Sequence, residues 1–214
     1  MTANPKRISG PDVEPITVDE VKLHLKIDHT DDDVYIAALV HAARVFCEQW
    51  TGRAFTNQTW KLTLQQWPTR YRSDQWWDGP RLGAMSELHH DADRVPLPKG
   101  EIQSITSVVT YDDSDADTTW GAENYRLTAD GELARKEGVT WPTALRASDA
   151  IEITYIAGYG EDWNAVPMAL RQGLTMLVSH WYENRAPVNI GNITTQLPLS
   201  VGAALGQFKI MRLA

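Results

Sequence analysis

The chain has 214 residues, 43% of them hydrophobic, and sets 20 Lys+Arg against 28 Asp+Glu for a formal net charge of -8 at pH 7. That length holds one good core or two small ones, and the acidic balance excludes a sequence-independent DNA or RNA binder whose affinity comes from cationic contacts to phosphate. The single Cys47 excludes an intrachain disulfide framework and a Cys-rich zinc site.

Residues 1–15 hold Pro5, Gly10, Pro11 and Pro15 and read as a flexible arm. They contain no apolar run, so neither a secretory signal nor a membrane anchor is expected there. No later stretch approaches the ~18 consecutive apolar residues of a membrane span. The expectation is a cytoplasmic product, unless it leaves as part of a larger assembly. Thr17 followed by Glu20 is a capping box, and Val18, Val21 and Leu25 with Leu23 predict a short amphipathic helix ending near Ile27. The acid-rich DHTDDD that follows lacks the mid-loop Gly and closing Glu of an EF-hand, so its aspartates are read as helix-capping groups rather than metal ligands.

Residues 31–53, DDDVYIAALVHAARVFCEQWTGR, carry the longest helical signal, with aspartates facing the positive end of the helix dipole and Gly52 as the stop. Around a helical wheel the polar Asp33, His41, Arg44, Glu48 and Thr51 share one narrow arc, and the rest is apolar apart from Gln49. Such a helix needs more than one burying neighbour. A second subunit, meeting Val34, Ala38, Ala42 and Val45, and a complete wrapping by the chain's own domain are the two ways to supply it. Cys47 lies on the apolar arc and reads as packing.

Beyond Arg53 the period turns to alternation. Thr59 to Gln65, Ile102 to Tyr111, Thr118 to Trp120, Tyr125 to Thr128, Glu132 to Arg135 and Ala150 to Ala157 predict short strands separated by turn clusters such as DDSDAD and ADGE. These imply an antiparallel sheet or small barrel, and the absence of a strand, helix, strand unit excludes a doubly wound nucleotide-binding fold. The irregular segment 66–100 carries Trp67, Trp76, Trp77, His89 and His90. Those rings either form a sugar-binding platform or tuck the loop onto its own domain or a neighbouring subunit.

Helical spacing returns after Trp163. Pro167 suits a first turn, and Val166, Leu170, Leu174, Leu177, Val178 and Trp181 form a stripe with Arg171, Gln172, Thr175, Ser179 and Glu183 on an expected wet side. His180 and Glu183 share a face, but no second pair sits at comparable spacing, so they read as surface polar residues. Residues 186–198 form a polar loop. A last helix is expected from Leu199 to about Ile210, anchored by Val201, Leu205 and Phe208 and weakened by Gly202 and Gly206. No phosphate-cradling loop, nucleophile elbow or metalloprotease motif occurs.

Taken together, ITVDEVKLHLKIDHTDDDVYIAALVHAARVFCEQWTGRAF, QTWKLTL, VPLPKGEIQSITSVVTY, IEITYIAGYG, VPMALRQGLTMLVSHWYENRAPV and LPLSV resemble the head-to-tail connector, or adaptor, family of long-tailed phages and gene transfer agents. The resemblance runs from about Ile16 to Val201, and the 66–94 loop is longer than the family's pattern. It implies a structural protein without enzymatic activity or cofactor. The implied fold is α+β, a helical bundle (16–53 and 162–185) with an inserted antiparallel β-region (54–161).

The implied assembly is a ring, usually twelve-fold, in the neck between capsid and tail. Its implied partners are the portal ring, neighbouring copies and a head-completion (stopper) or tail protein. DNA would pass through its channel without specific binding, and no membrane would be involved. Under that reading residues 186–214 are the portal-docking element through Val201, Leu205, Phe208 and Ile210. The runner-up is that this helix packs on its own bundle. An acidic or neutral channel wall would let DNA slide, with Asp112, Asp113, Asp115 and Asp117 as candidates against the alternative of a solvated turn. A carbohydrate- or surface-binding β-module using the Trp-rich loop is the alternative function, and a metal-dependent hydrolase using His180, Glu183 and the acidic turn is a third.

Overall fold

The structure, a computed structural model, describes residues 5–68, 93–185 and 199–210. It is of the α+β class, with four α-helices and two antiparallel sheets among the described residues. The chain divides into two compact units, one of Met1–Ile8, Thr59–Leu97 and Ser104–Ile156, the other of Ser9–Gln58, Pro98–Gln103 and Ala157–Ala214.

The second unit is helical. Its α1 (Val18–Leu25) starts as its sequence dictates: the Thr17 side chain accepts from the Glu20 N–H, and the Glu20 carboxylate accepts from the Thr17 N–H at 2.9 Å. Helix α2 spans Asp33–Thr51 and stops at Gly52, whose φ of 76° is the left-handed cap that only glycine adopts cheaply. Helix α3 spans Met168–Glu183, and α4 spans Leu199–Gly206. A single core joins them: Ile36, Val40, Ala43 and Cys47 of α2 meet Leu170, Leu174, Leu177 and Val178 of α3, with Val21 of α1 and Val201 and Leu205 of α4. Gly173 is what lets α4 in, since a Cβ there would stand 3.0 Å from the Leu205 side chain.

The other unit holds nearly all of the sheet structure. Strands β1 (Pro5–Ser9), β2 (Gln58–Leu64), β4 (Ile102–Tyr111), β5 (Asp117–Thr119) and β8 (Ile151–Ala157) form a five-stranded sheet in the order β1-β2-β8-β4-β5. Strands β3 (Arg94–Pro96), β6 (Tyr125–Leu127) and β7 (Glu132–Arg135) form a three-stranded sheet in the order β3-β7-β6. Within it Val95 is paired with Leu133 and Leu133 with Leu127, which gives the sheet one apolar face.

Segment 1–15, expected to be an arm, carries the edge strand β1, and Glu14 binds α2. A strand, β3, lies within the segment 66–100 that was expected to be irregular. Trp67 is buried there: it stacks on Trp141 at 4.2 Å, meets Trp120 at 5.7 Å and donates its indole N–H to the Pro142 carbonyl. Trp67 therefore follows the packing alternative rather than the sugar-platform one. Trp76, Trp77, His89 and His90 lie outside the described residues, as do residues 186–198.

Candidate interaction surface

Helix α2 reverses the burial that its polarity suggests. Arg44, 1% exposed, sends its Nε to Glu14 Oε2 at 2.7 Å and its Nη1 to Glu48 Oε2 at 3.0 Å, the latter one helical turn away. Glu48 Oε1 accepts from the Phe55 N–H at 3.1 Å and from the Gln58 amide at 2.5 Å. Both oxygens of a buried carboxylate are thus paired, as burial of a charge requires. Loss of water pushes the Glu48 carboxyl above its ordinary pKa despite Arg44 and its hydrogen bonds. Burial also disfavours the Arg44 cation, but Glu14 and Glu48 outweigh it and raise that pKa. Beside them burial pushes the Cys47 thiol up to about 12, so Cys47 is a packing residue and not a nucleophile.

The expected wet arc of α2 is therefore half dry: Arg44, Glu48 and Thr51 are buried, while Val34, Ala38 and Ala42 are exposed and Val45 is half-buried. Val34 is 85% exposed. The spacing of these four places them on one side of the helix, opposite Ile36, Val40, Ala43 and Cys47, which enter the core. The sequence reading brought Val34, Ala38, Ala42 and Val45 together, and the structure places them on one continuous face.

Its prediction that Asp31 to Asp33 cap α2 is corrected. Asp32 makes no side-chain cap bond. It accepts instead from the Tyr182 hydroxyl and from Arg185 Nη2 at 3.1 Å, and those bonds hold its carboxyl below the usual value, the tyrosine first. Asp33 pairs with Lys22 at 2.8 Å. The aspartates lash the start of α2 to α1 and to the end of α3.

The wet side expected for α3 is corrected in part: Arg171, Thr175 and Ser179 are buried, while Gln172 and Glu183 are exposed. Thr175 and Ser179 return their hydroxyls to the carbonyls one turn back, and Arg171 pairs with Glu20 and covers the Trp163 ring at 4.2 Å. Among the described residues no His, Cys, Asp and Glu cluster could hold a metal, and His180 bonds to Asn184.

Val201 and Leu205, expected at the portal, are both 0% exposed inside their own unit, and Phe208 packs on the same core. The Ile210 N–H donates to the Thr51 carbonyl at 2.8 Å, and Arg53 Nε donates to the Phe208 carbonyl at 2.6 Å. This correction has a plain cause, because α3 offers the glycine notch and α4 fills it. The helix covers its own bundle, which was the runner-up reading.

Asp112, Asp113, Asp115 and Asp117 sit at the β4 to β5 turn and the start of β5. The Asp112 carboxylate closes that turn, accepting from the Ser114 hydroxyl at 2.6 Å, the Ser114 N–H at 2.8 Å and the Ala116 N–H at 3.0 Å. Those bonds lower its pKa. Asp115 pairs with Arg146 at 3.0 Å.

Residues 15–119, from the approach to α1 through β5, match the family described as phage gp6-like head-tail connector protein. Over that stretch the chain is similar to that family. Solved structures share its fold over nearly the whole length. A chain of the neck of an empty gene transfer agent particle, computed with C6 symmetry, aligns with TM-score 0.73 and 20% identity over 99% of this chain and 97% of that one. A chain of the virion of a native gene transfer agent particle aligns with TM-score 0.74 and 20% identity over 100% and 98%. A chain of a native neck computed with C12 symmetry gives 0.70 and 20% over the same shares. No curated protein matches this chain.

Proposed function

We propose that this chain is a non-enzymatic ring subunit in the neck of a phage-like particle, in which neighbouring copies meet through the α2 face of Val34, Ala38, Ala42 and Val45. The observation that carries the reading is that face. It is apolar and exposed on a helix whose opposite side is already committed to a finished core. Small residues at its centre let a second helix approach closely, and a ring supplies each copy with two different neighbours through heterologous contacts. The necks solved with C6 and C12 symmetry, which contain chains of this fold, support a ring of twelve.

On this reading the portal lies on the capsid side and a head-completion or tail protein on the other, with DNA passing through unbound. A charge of -8 on every copy makes the copies repel one another at low salt, so the ring forms on the portal rather than alone. Native mass spectrometry with and without portal rings tests this directly. The expected result is monomer or weak association alone and a closed ring on the portal. A stable ring of the chain alone at low ionic strength, or no uptake by portal, overturns it.

A further inference from the structure

The three-stranded sheet gathers cations in a chain that is otherwise acidic. Arg94 and Arg126 both pair with Ala134, one from each side, so their side chains flank one small residue on the same face. Lys136 follows two residues after Ala134, and Ala134 itself is buried as the floor. The result is a concavity of about 290 Å³ in which, among the described residues, the charged lining is Arg94, Arg126, Arg135 and Lys136 with Asp93 and Glu137.

Two of those cations already show what the site recognises. Arg135 directs Nε and Nη2 to one Asp93 oxygen at 2.8 and 2.5 Å, and Arg94 reaches Glu132 at 3.5 Å. Arg126 and Lys136 are exposed and have no side-chain partner among the described residues. Among the described residues the site therefore holds two cations without an ion-pair partner.

We propose that this pocket receives carboxylates of a second copy of the chain, namely those of its β4 to β5 turn, as a heterologous contact. The inference rests on the ring reading and deepens it by naming a second interface. The turn is suited to the role because Asp112 holds it in shape through three hydrogen bonds, which lowers the ordering cost of docking. Asp113 and Asp117 project exposed and have no partner among the described residues. A basic pocket and an acidic turn at different places on one chain form a complementary pair, and head-to-tail succession around a ring uses one of each per junction. A nucleic acid is the less favoured occupant. Backbone binding needs a track of cations along many phosphates, and this site offers two cations without an ion-pair partner among the described residues, on a chain of net charge -8.

The test is a charge swap in the full chain, followed by sedimentation of concentrated protein at about 0.1 M salt, where exposed charges still interact over ~10 Å. One variant carries Arg126→Glu and Lys136→Glu, the other Asp113→Lys and Asp117→Lys. Each alone should self-associate on the order of tenfold more weakly than wild type, and an equimolar mixture should regain association because each pocket again meets an opposite turn. Circular dichroism and melting of each variant show whether it remains folded.

Wild-type chain that stays monomeric at millimolar concentration, or a mixture no stronger than its components, overturns the proposal. So does a DNA duplex retarded by wild type and not by the pocket variant, which would assign the site to phosphate. Failure of the connector reading is distinguishable, since portal rings would then take up neither wild type nor mixture.

Discussion

Strand β8 and helix α2 both carry a regular apolar set, and they end differently. On β8, Ile151, Ile153, Tyr155 and Ala157 are all buried, and the set is satisfied inside the chain. On α2, Ile36, Val40, Ala43 and Cys47 are buried, while Val34, Ala38 and Ala42 remain in water and the charged Arg44 and Glu48 take interior positions. A strand has two faces, and one neighbouring layer is enough to bury one of them. A helix with apolar residues around most of its circumference cannot be covered by a single neighbour. The contrast separates an apolar set that the subunit buries from one that it leaves partly open.

The sharpest way to break that contrast is to remove what completes the core of the helical unit. Deletion of residues 199–214 strips Val201 and Leu205 from α3, and full burial of each contributes roughly 1.5 to 3 kcal/mol. We expect the truncated chain to lose several degrees of melting temperature at the least and to bind a hydrophobic dye, or not to fold at all. A truncated chain with unchanged melting that no longer joins portal rings would restore the docking role for α4.

Next in size is the buried charge pair. Arg44→Ala leaves Glu48 without its cation in the interior and should destabilise by about 3 to 5 kcal/mol, read from urea midpoints. Arg44→Met combined with Glu48→Gln keeps an acceptor for the Phe55 N–H without any charge, and should recover more than half of that loss. A double variant as unstable as the single one would mean that Arg44 acts by packing and not as the counter-ion.

Much of this architecture was legible in the residues, and the exceptions share a cause. The Thr17 and Glu20 box, the Gly52 stop and the spans of β4 and β7 follow from local spacing, and each is found where the sequence put it. Strand β1 was missed because Pro5 to Ser9 has no alternation and a single aliphatic residue, Ile8; it exists by pairing as an edge, where proline is tolerated. The burial of Arg44 was missed because its partner Glu14 lies thirty positions earlier, and no periodicity reports such a pair. Gly173 was the available signal for α4. A glycine inside an otherwise regular helix costs about 1 kcal/mol against alanine, and its use is the notch for Leu205. For the candidate interface the residues gave the apolar stripe, and only the fold separated its core half from its open half.

A smaller effect concerns pH. Glu48 has its folded pKa raised, chiefly by burial. A group of that kind contributes stability that is fully present below its unfolded pKa and lost as pH rises through the folded one. Its neutral form suits the interior, and its charged form must be paid for by Arg44. We therefore expect the stability difference between wild type and Glu48→Gln, measured by urea from pH 4 to 8, to move against wild type as pH rises above the ordinary carboxylate range. A difference that moves the other way would show that the Arg44 pairing outweighs burial.

The smallest effect on the subunit should accompany the largest on the assembly. Ala38 and Ala42 are exposed, so Ala38→Arg or Ala42→Glu should change subunit stability by no more than about 0.5 kcal/mol, as surface substitutions generally do. In a ring the same side chains would meet a neighbour's helix, where an added charge loses its water without a partner and a long side chain holds the backbones apart. We expect native mass spectrometry on portal rings to show full occupancy for wild type and vacant positions for either variant, with melting curves that overlay. Control substitutions at Leu23, also exposed and apolar but on α1, should leave occupancy intact. If Leu23→Glu empties the ring and Ala38→Arg does not, the contact between copies runs through α1, and the open face of α2 belongs to another partner.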